Sequence, residues 1–155
     1  MDEMKVEYVQ PFLVAASSVL SNFGLQLTPG KPYVKNTAFE KDDLVICLGV
    51  VGQLVGQVLI AFKNDVALDI ASKMCMMPMT ELNEISISAL SELGNMILGN
   101  AATVLSTKNV LVDITTPTLI HGSFEINSAY AKNICMPLTF DGNKTIELDI
   151  SVKEA

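Results

Sequence analysis

Ser88, Glu92, Asn95 and Gly99 follow one another at i, i+4, i+7 and i+11. On a helix of about 3.6 residues per turn, such positions stack into one straight stripe. A carboxylate and a carboxamide then stand one turn apart, bordered by a hydroxyl and a bare glycine. A carboxylate can pair with a cation, and a carboxamide can both donate to and accept from a water. A polar stripe on an amphipathic helix is most often a solvated face, and the spacing alone leaves that reading open. The residue choice argues for more. Glycine costs up to about 1 kcal/mol against alanine inside a helix, and asparagine is a middling helix former. Gly94, Asn95, Gly99 and Asn100 nevertheless crowd into seven residues. Gly94 falls on the buried side, where it would let the helix approach a sheet closely. Gly99 falls beside Asn95, where its missing side chain would admit another molecule. Local stability given up in this way is characteristic of functional sites.

The helix that must carry the stripe is predicted from about Glu81 to Ser106, with a start signal in residues 80–84. Leu90, Leu93, Ile97, Ala101, Val104 and Leu105 form its apolar face, which has to lie on a sheet. Glu84 joins the stripe on the opposite side. Upstream, Pro11 suits a first helical turn, and a helix over 12–23 stops at Gly24. A strand is expected near 33–39. Residues 44–62 carry no charge over 19 positions, nearly a membrane span. Seven of them are β-branched, and Gly49, Gly52 and Gly56 interrupt the run, so two buried strands joined at Gly52-Gln53 fit better. A helix capped at Asn64-Asp65 should reach about Met76 before Pro78. Extended segments follow at 117–126, 131–140 and 145–152, with a turn at 141–143. Helix, proline-containing turn and three strands thus occur twice, over 11–62 and 80–152, a weak internal pseudo-repeat. The whole chain, 1–155, reads as a single domain of α/β (α+β type) class: a mostly antiparallel sheet with helices packed on it.

Composition narrows the function. The chain has ten basic residues, all lysine, and a net charge of -7. Nucleic acid and anionic membranes are disfavoured, and a partner with a positive surface is favoured. Without arginine there is no arginine finger and no bidentate phosphate fork. One histidine and three scattered cysteines give no metal-ligand motif, so no metal site is expected. The acidic start and lone cysteines suit a cytoplasmic setting without a secretory signal. Chemistry must rest on carboxylates, amides and hydroxyls, or on groups a partner brings.

Ser88-x-x-x-Glu92-x-x-Asn95, followed 22 residues on by Pro117 in Asp113-Ile-Thr-Thr-Pro117, resembles the CheC/CheX/FliY family of bacterial chemotaxis phosphatases. Its CheX branch is the most similar in length and layout, and Tyr8-Val-Gln-Pro11-Phe12 and the closing strand Leu148-Asp-Ile-Ser-Val-Lys153 extend the likeness. The resemblance implies an enzyme that hydrolyses the phospho-aspartate of a CheY-like response regulator in chemotaxis or another two-component system. Glu92 and Asn95 would be its catalytic residues. Asn95 would hold the attacking water, and Glu92 would pair with the partner's active-site lysine. Ser88 and Gly99 would border the contact. The chain would need no cofactor of its own, Mg²⁺ being supplied by the phosphorylated partner. A homodimer joined at sheet edges is also implied. Two-site members carry a second Glu-x-x-Asn on the first helix, but residues 14–22 offer none, and Glu7-Tyr-Val-Gln10 precedes Pro11; one site per chain is expected.

Other residues weigh less. His121 reads as a surface or strand-end histidine, and no Gly-x-Ser-x-Gly elbow accompanies it. Gly49, Gly52 and Gly56 lack the Lys-Ser/Thr of a phosphate loop. Met74, Met76, Met77 and Met79 read as flexible core filler, with a partner groove as the sharper alternative. The rival to an enzyme is a non-catalytic docking module of the flagellar-switch type, which would have no need of the Glu92 and Asn95 pair.

Overall fold

A computed structural model describes residues 6–34, 37–127 and 133–155. The expected start of a strand at 131–132 and the middle of the one near 33–39 lie outside these. The order is α1 (Val6–Ser21), β1 (Thr28–Pro29), β2 (Tyr33–Val34), β3 (Thr37–Phe39), β4 (Asp43–Gly52), β5 (Leu54–Lys63), α2 (Asn64–Cys75), α3 (Glu84–Ser106), β6 (Val112–Ile114), β7 (Thr118–His121), β8 (Phe124–Ile126), β9 (Ile134–Phe140) and β10 (Lys144–Glu154). Eight strands form one antiparallel sheet along the path β1-β9-β10-β5-β4-β6, with β2 beside β9 and β7 beside β4; β3 and β8 form a separate pair.

The pseudo-repeat proves deeper than the sequence suggested. A helix followed by five strands occurs twice, with α2 between. Exchanging β1–β5 with β6–β10 turns the sheet path into its own reverse, exchanges β2 on β9 with β7 on β4, and leaves β3–β8 paired. The topology therefore has a pseudo-two-fold between β5 and β10, the central strands.

Alternation along the central strands sorts their side chains. Leu44, Ile46, Leu48, Val58, Ile60, Leu148 and Ile150 face the helices in the main core, while Val45, Leu59 and Ala61 face the other way and pack with Phe39. Phe39 and Phe124 bring β3 and β8 over that second face, their rings 5.0 Å apart. This cover makes residues 58–62 a continuous buried run. The hairpin expected over 44–62 is present, with Gly52 at φ 122 beside Gln53. Gly56 (φ 155) lies so close to β10 that an added Cβ would stand 2.0 Å from the Ser151 carbonyl oxygen, so it is a sheet-packing glycine.

Several boundaries differ from expectation. The strand expected near 33–39 divides into β2 and β3 of different sheets, and Thr28–Pro29 adds the short β1. α2 is capped at Lys63 with no side-chain cap bond, rather than by Asn64-Asp65. α1 starts at Val6 and holds Pro11 inside it, costing one internal N–H, because Val9, Pro11, Phe12, Ala15 and Ala16 continue a single buried face. The strand expected over 117–126 is broken at Gly122 (φ 112) into β7, which pairs with β4, and β8, which pairs with β3. The short β6 was not anticipated; it adds Val112–Ile114 to the edge of β4. No helix among the described residues is long and apolar enough to cross a membrane.

Candidate functional site

Asn83, not the first residues of the start signal, caps α3. Its side-chain oxygen accepts the N–H groups of Ile85 and Ser86, both at 3.0 Å, while Ser86 Oγ accepts the Asn83 N–H at 2.8 Å. This reciprocal box fixes where the helix begins, and so the direction in which every later side chain points. Leu90, Leu93, Gly94, Ile97, Leu98, Ala101 and Leu105 are buried; Val104, expected among them, is half-buried. α3 lies against α1, α2, β4 and β6.

Gly94 sits on the sheet as expected: a Cβ there would meet Ile46 Cγ2 at 2.9 Å and Leu48 Cδ1 at 3.2 Å. Across the helix, a Cβ at Gly99 would meet nothing within 4 Å. Ser88, Glu92 and Asn95 are exposed and Gly99 is half-buried, so all four expected site residues share one solvent-facing stripe. Among the described residues, neither Glu92 nor Asn95 has a hydrogen-bond or ion-pair partner. A carboxylate and an amide held on a rigid helix with their polar atoms free are available to an incoming molecule. An open groove of about 590 Å³ runs along the stripe, between the end of α2 (Met74, Cys75) and Glu84, Ile85, Ser88, Ala89 and Glu92.

Pro117 does not line that groove; it lies between β6 and β7, beside the edge of β4. There Thr115 Oγ1 accepts the Gly49 N–H at 2.8 Å, and the Thr115 N–H donates to the Gly49 carbonyl at 3.0 Å. His121 is exposed at the end of β7. Of the methionines, Met79 is buried and Met74 packs on the core, but Met76 and Met77 are 92% and 51% exposed, which core filler does not explain.

Metal-ligand geometry lies elsewhere. Among the described residues, one cluster of three ligand-type side chains occurs: Cys135, Glu147 and Asp149, on the sheet face away from the helices. Burial, and then hydrogen bonding to Glu147, push the Cys135 thiol well above its usual range, and Tyr33 donates its hydroxyl to Glu147 at 2.8 Å. Glu81, Glu84 and Glu92 form no such cluster.

The family model for chemotaxis phosphatase CheX matches residues 44–139, which include the stripe and the groove. The CheY-P phosphatase CheX of Thermotoga maritima is 30% identical over 131 residues, 84% of either chain. The chain belongs to the CheX family. Solved structures agree in the arrangement of the whole fold. A CheC-like superfamily protein from a Shewanella species is similar at TM-score 0.85 and 30% identity, over 97% of this chain and 99% of that one. A CheX–CheY–BeF₃–Mg²⁺ complex from Borrelia burgdorferi is similar at TM-score 0.82 and 30% identity, over 97% and 100%. Within this CheX-family fold, the exposed acid–amide pair belongs to the long helix of the second repeat.

Proposed function

We propose that this chain is a phosphatase acting on the phospho-aspartate of a CheY-like response regulator, with Asn95 and Glu92 as its catalytic pair. The observation that carries the reading is the solvent-facing stripe of Ser88, Glu92, Asn95 and Gly99, in which the Glu92 and Asn95 side chains have no partner among the described residues and a glycine leaves room. The relatives named CheY-P phosphatase and CheX–CheY complex support the partner class.

Phosphoryl transfer through a loose transition state needs positioning and charge neutralisation more than a strong base. A carboxamide suits the first task. The Asn95 side-chain oxygen accepts a hydrogen bond from the attacking water, and its NH2 donates to the phosphoryl group, so the water is held in line. Glu92, one turn away, pairs with a lysine of the partner and sets how far Asn95 enters the pocket. Charge neutralisation falls to Mg²⁺ and the lysine held by the partner. Ser88 and Gly99 flank the contact. The same reading places the protein in the cytoplasm beside its substrate, and pairs two copies through a sheet edge, which sedimentation would test. Catalysis itself is tested by following decay of a phosphorylated receiver domain. Acceleration by this chain, abolished by Asn95→Ala, is expected; decay at the same rate with and without the chain would refute the assignment.

A further inference from the structure

The stripe is small for an interface. A specific protein contact buries about 800 Å² per partner, drawn from about 20–30 residues. Of the stripe's four residues only Glu92 carries a charge, so one ion pair is all the electrostatic attraction it offers. Affinity must come from apolar contact next to the pair.

The turn after α2 offers such contact. Met76 follows the last residue of α2 with φ 55, the left-handed conformation in which helix C-termini ordinarily place glycine. A methionine there is strained, and its side chain is 92% exposed, so no packing within the chain repays the strain. The turn is nonetheless pinned. The Met76 and Met77 N–H groups both donate to the Ser72 carbonyl, and Met79, buried two residues on, donates its N–H to Ser72 Oγ at 2.9 Å. Met74 and Cys75, just before this turn, line the groove opposite Ile85, which is 55% exposed on the same helical face as Ser88 and Glu92. At about 1.5 Å rise per residue, Ile85 stands roughly 15 Å along α3 from Asn95, within the radius of an interface of ordinary size.

We infer that Met76, Met77 and Ile85 form a preorganised apolar shoulder that seats an apolar patch of the regulator's receiver domain beside its phosphorylated pocket. The shoulder sets affinity and partner choice, and it takes no part in hydrolysis. Methionine suits the role, because a flexible, polarisable side chain adapts to related surfaces. The inference rests on the proposed response-regulator partner.

The test is binding of a receiver domain loaded with Mg²⁺ and beryllofluoride, measured by calorimetry with Met76→Gly/Met77→Ser and with Asn95→Ala. The Met76→Gly/Met77→Ser variant is expected to raise Kd on the order of tenfold or more while its melting temperature stays the same or rises. Asn95→Ala, which loses only polar contacts inside the pocket, is expected to raise Kd less than the methionine variant does. Unchanged Kd in the methionine variant overturns the inference, as does absence of binding by wild type. A changed oligomeric state with unchanged Kd overturns it too, by giving the shoulder to a second copy of this chain. Methionine-dependent binding without hydrolysis would sustain the shoulder while removing the catalytic reading of Asn95.

Discussion

α1 and α3 hold equivalent places in the two repeats, and their buried faces match: Phe12, Ala15, Ala16, Val19 and Leu20 recur as Leu90, Leu93, Gly94, Ile97 and Leu98. In that phase the solvent-facing counterparts of Glu92 and Asn95 are Val14 and Ser17, and that of Gly99 is Ser21. Glu7 and Gln10, though inside α1 after all, fall opposite Ile85 and Ser88, out of step with the pair. What the two helices share is what the sheet demands of them; what they differ in is what they offer to solvent. Packing tolerates Ala16 in one repeat, whereas the other needs Gly94 to bring α3 onto Ile46 and Leu48. The closer seat and the acid–amide pair occur on the same helix.

The largest effect expected from this asymmetry is at Asn95. Asn95→Ala should slow receiver dephosphorylation on the order of 10²-fold or more with an unchanged melting temperature. Adding Val14→Glu and Ser17→Asn to that variant should restore little, since α1 has no open glycine beside the transplanted pair; full recovery in the decay assay would show that the pair alone suffices. Glu92→Ala should act on docking, raising KM on the order of tenfold with a smaller change in kcat. Its effect should depend on salt less steeply than loss of an exposed rim charge, because the pair with lysine would be shielded from solvent.

The two glycines separate packing from access. Gly94→Leu should destabilise the fold by roughly 1–3 kcal/mol of overpacking against β4, read by thermal or chemical denaturation. Gly99→Leu should leave stability nearly unchanged and weaken partner binding. Exchanged outcomes would show that the stripe faces the sheet.

The smallest effect concerns α2, which has no counterpart in the repeat. Asp69 on α2 meets Lys144 of β10 at 2.8 Å and Lys73 at 3.0 Å. The Lys144 hydrogen bond, then the Lys73 one, hold the Asp69 carboxyl below its usual range. A carboxyl depressed by folding contributes stability above its unfolded pKa and loses it as pH falls through the folded value. Asp69→Asn should therefore cost about 0.2–1 kcal/mol at neutral pH, and the difference from wild type should vanish under acid denaturation below the ordinary carboxylate range.

Much of this was legible in the sequence because it rests on short-range rules. The phase of α3, the opposite duties of Gly94 and Gly99, the hairpin at Gly52 and the turn at 141–143 each follow from periodicity or from glycine's freedom at positive φ. What escaped depends on partners distant in sequence. Gly122 gives no local sign that the strands before and after it join different sheets. Val112–Ile114 becomes a strand only because β4 offers an edge. Asp149 and Ser151 are polar residues in a strand buried on both faces, and no local pattern foretells the second cover. The exposure of Met76 was likewise hidden, since methionine beside a helix end ordinarily reads as core.

The interleaving of the repeats has a consequence for folding. β5 and β10 pair over Leu54–Ala61 and Glu147–Glu154, so the chain between must close as one long loop before the central seam exists. Gly94 of α3 seats on Ile46 and Leu48 of β4, which belongs to the first repeat. Neither half can thus be cut out as a working fragment, and topologies dominated by such distant pairings fold on the order of milliseconds to seconds. In stopped-flow refolding, partner binding should return together with the final phase of sheet formation, because α3 has no seat until the two halves have closed on each other.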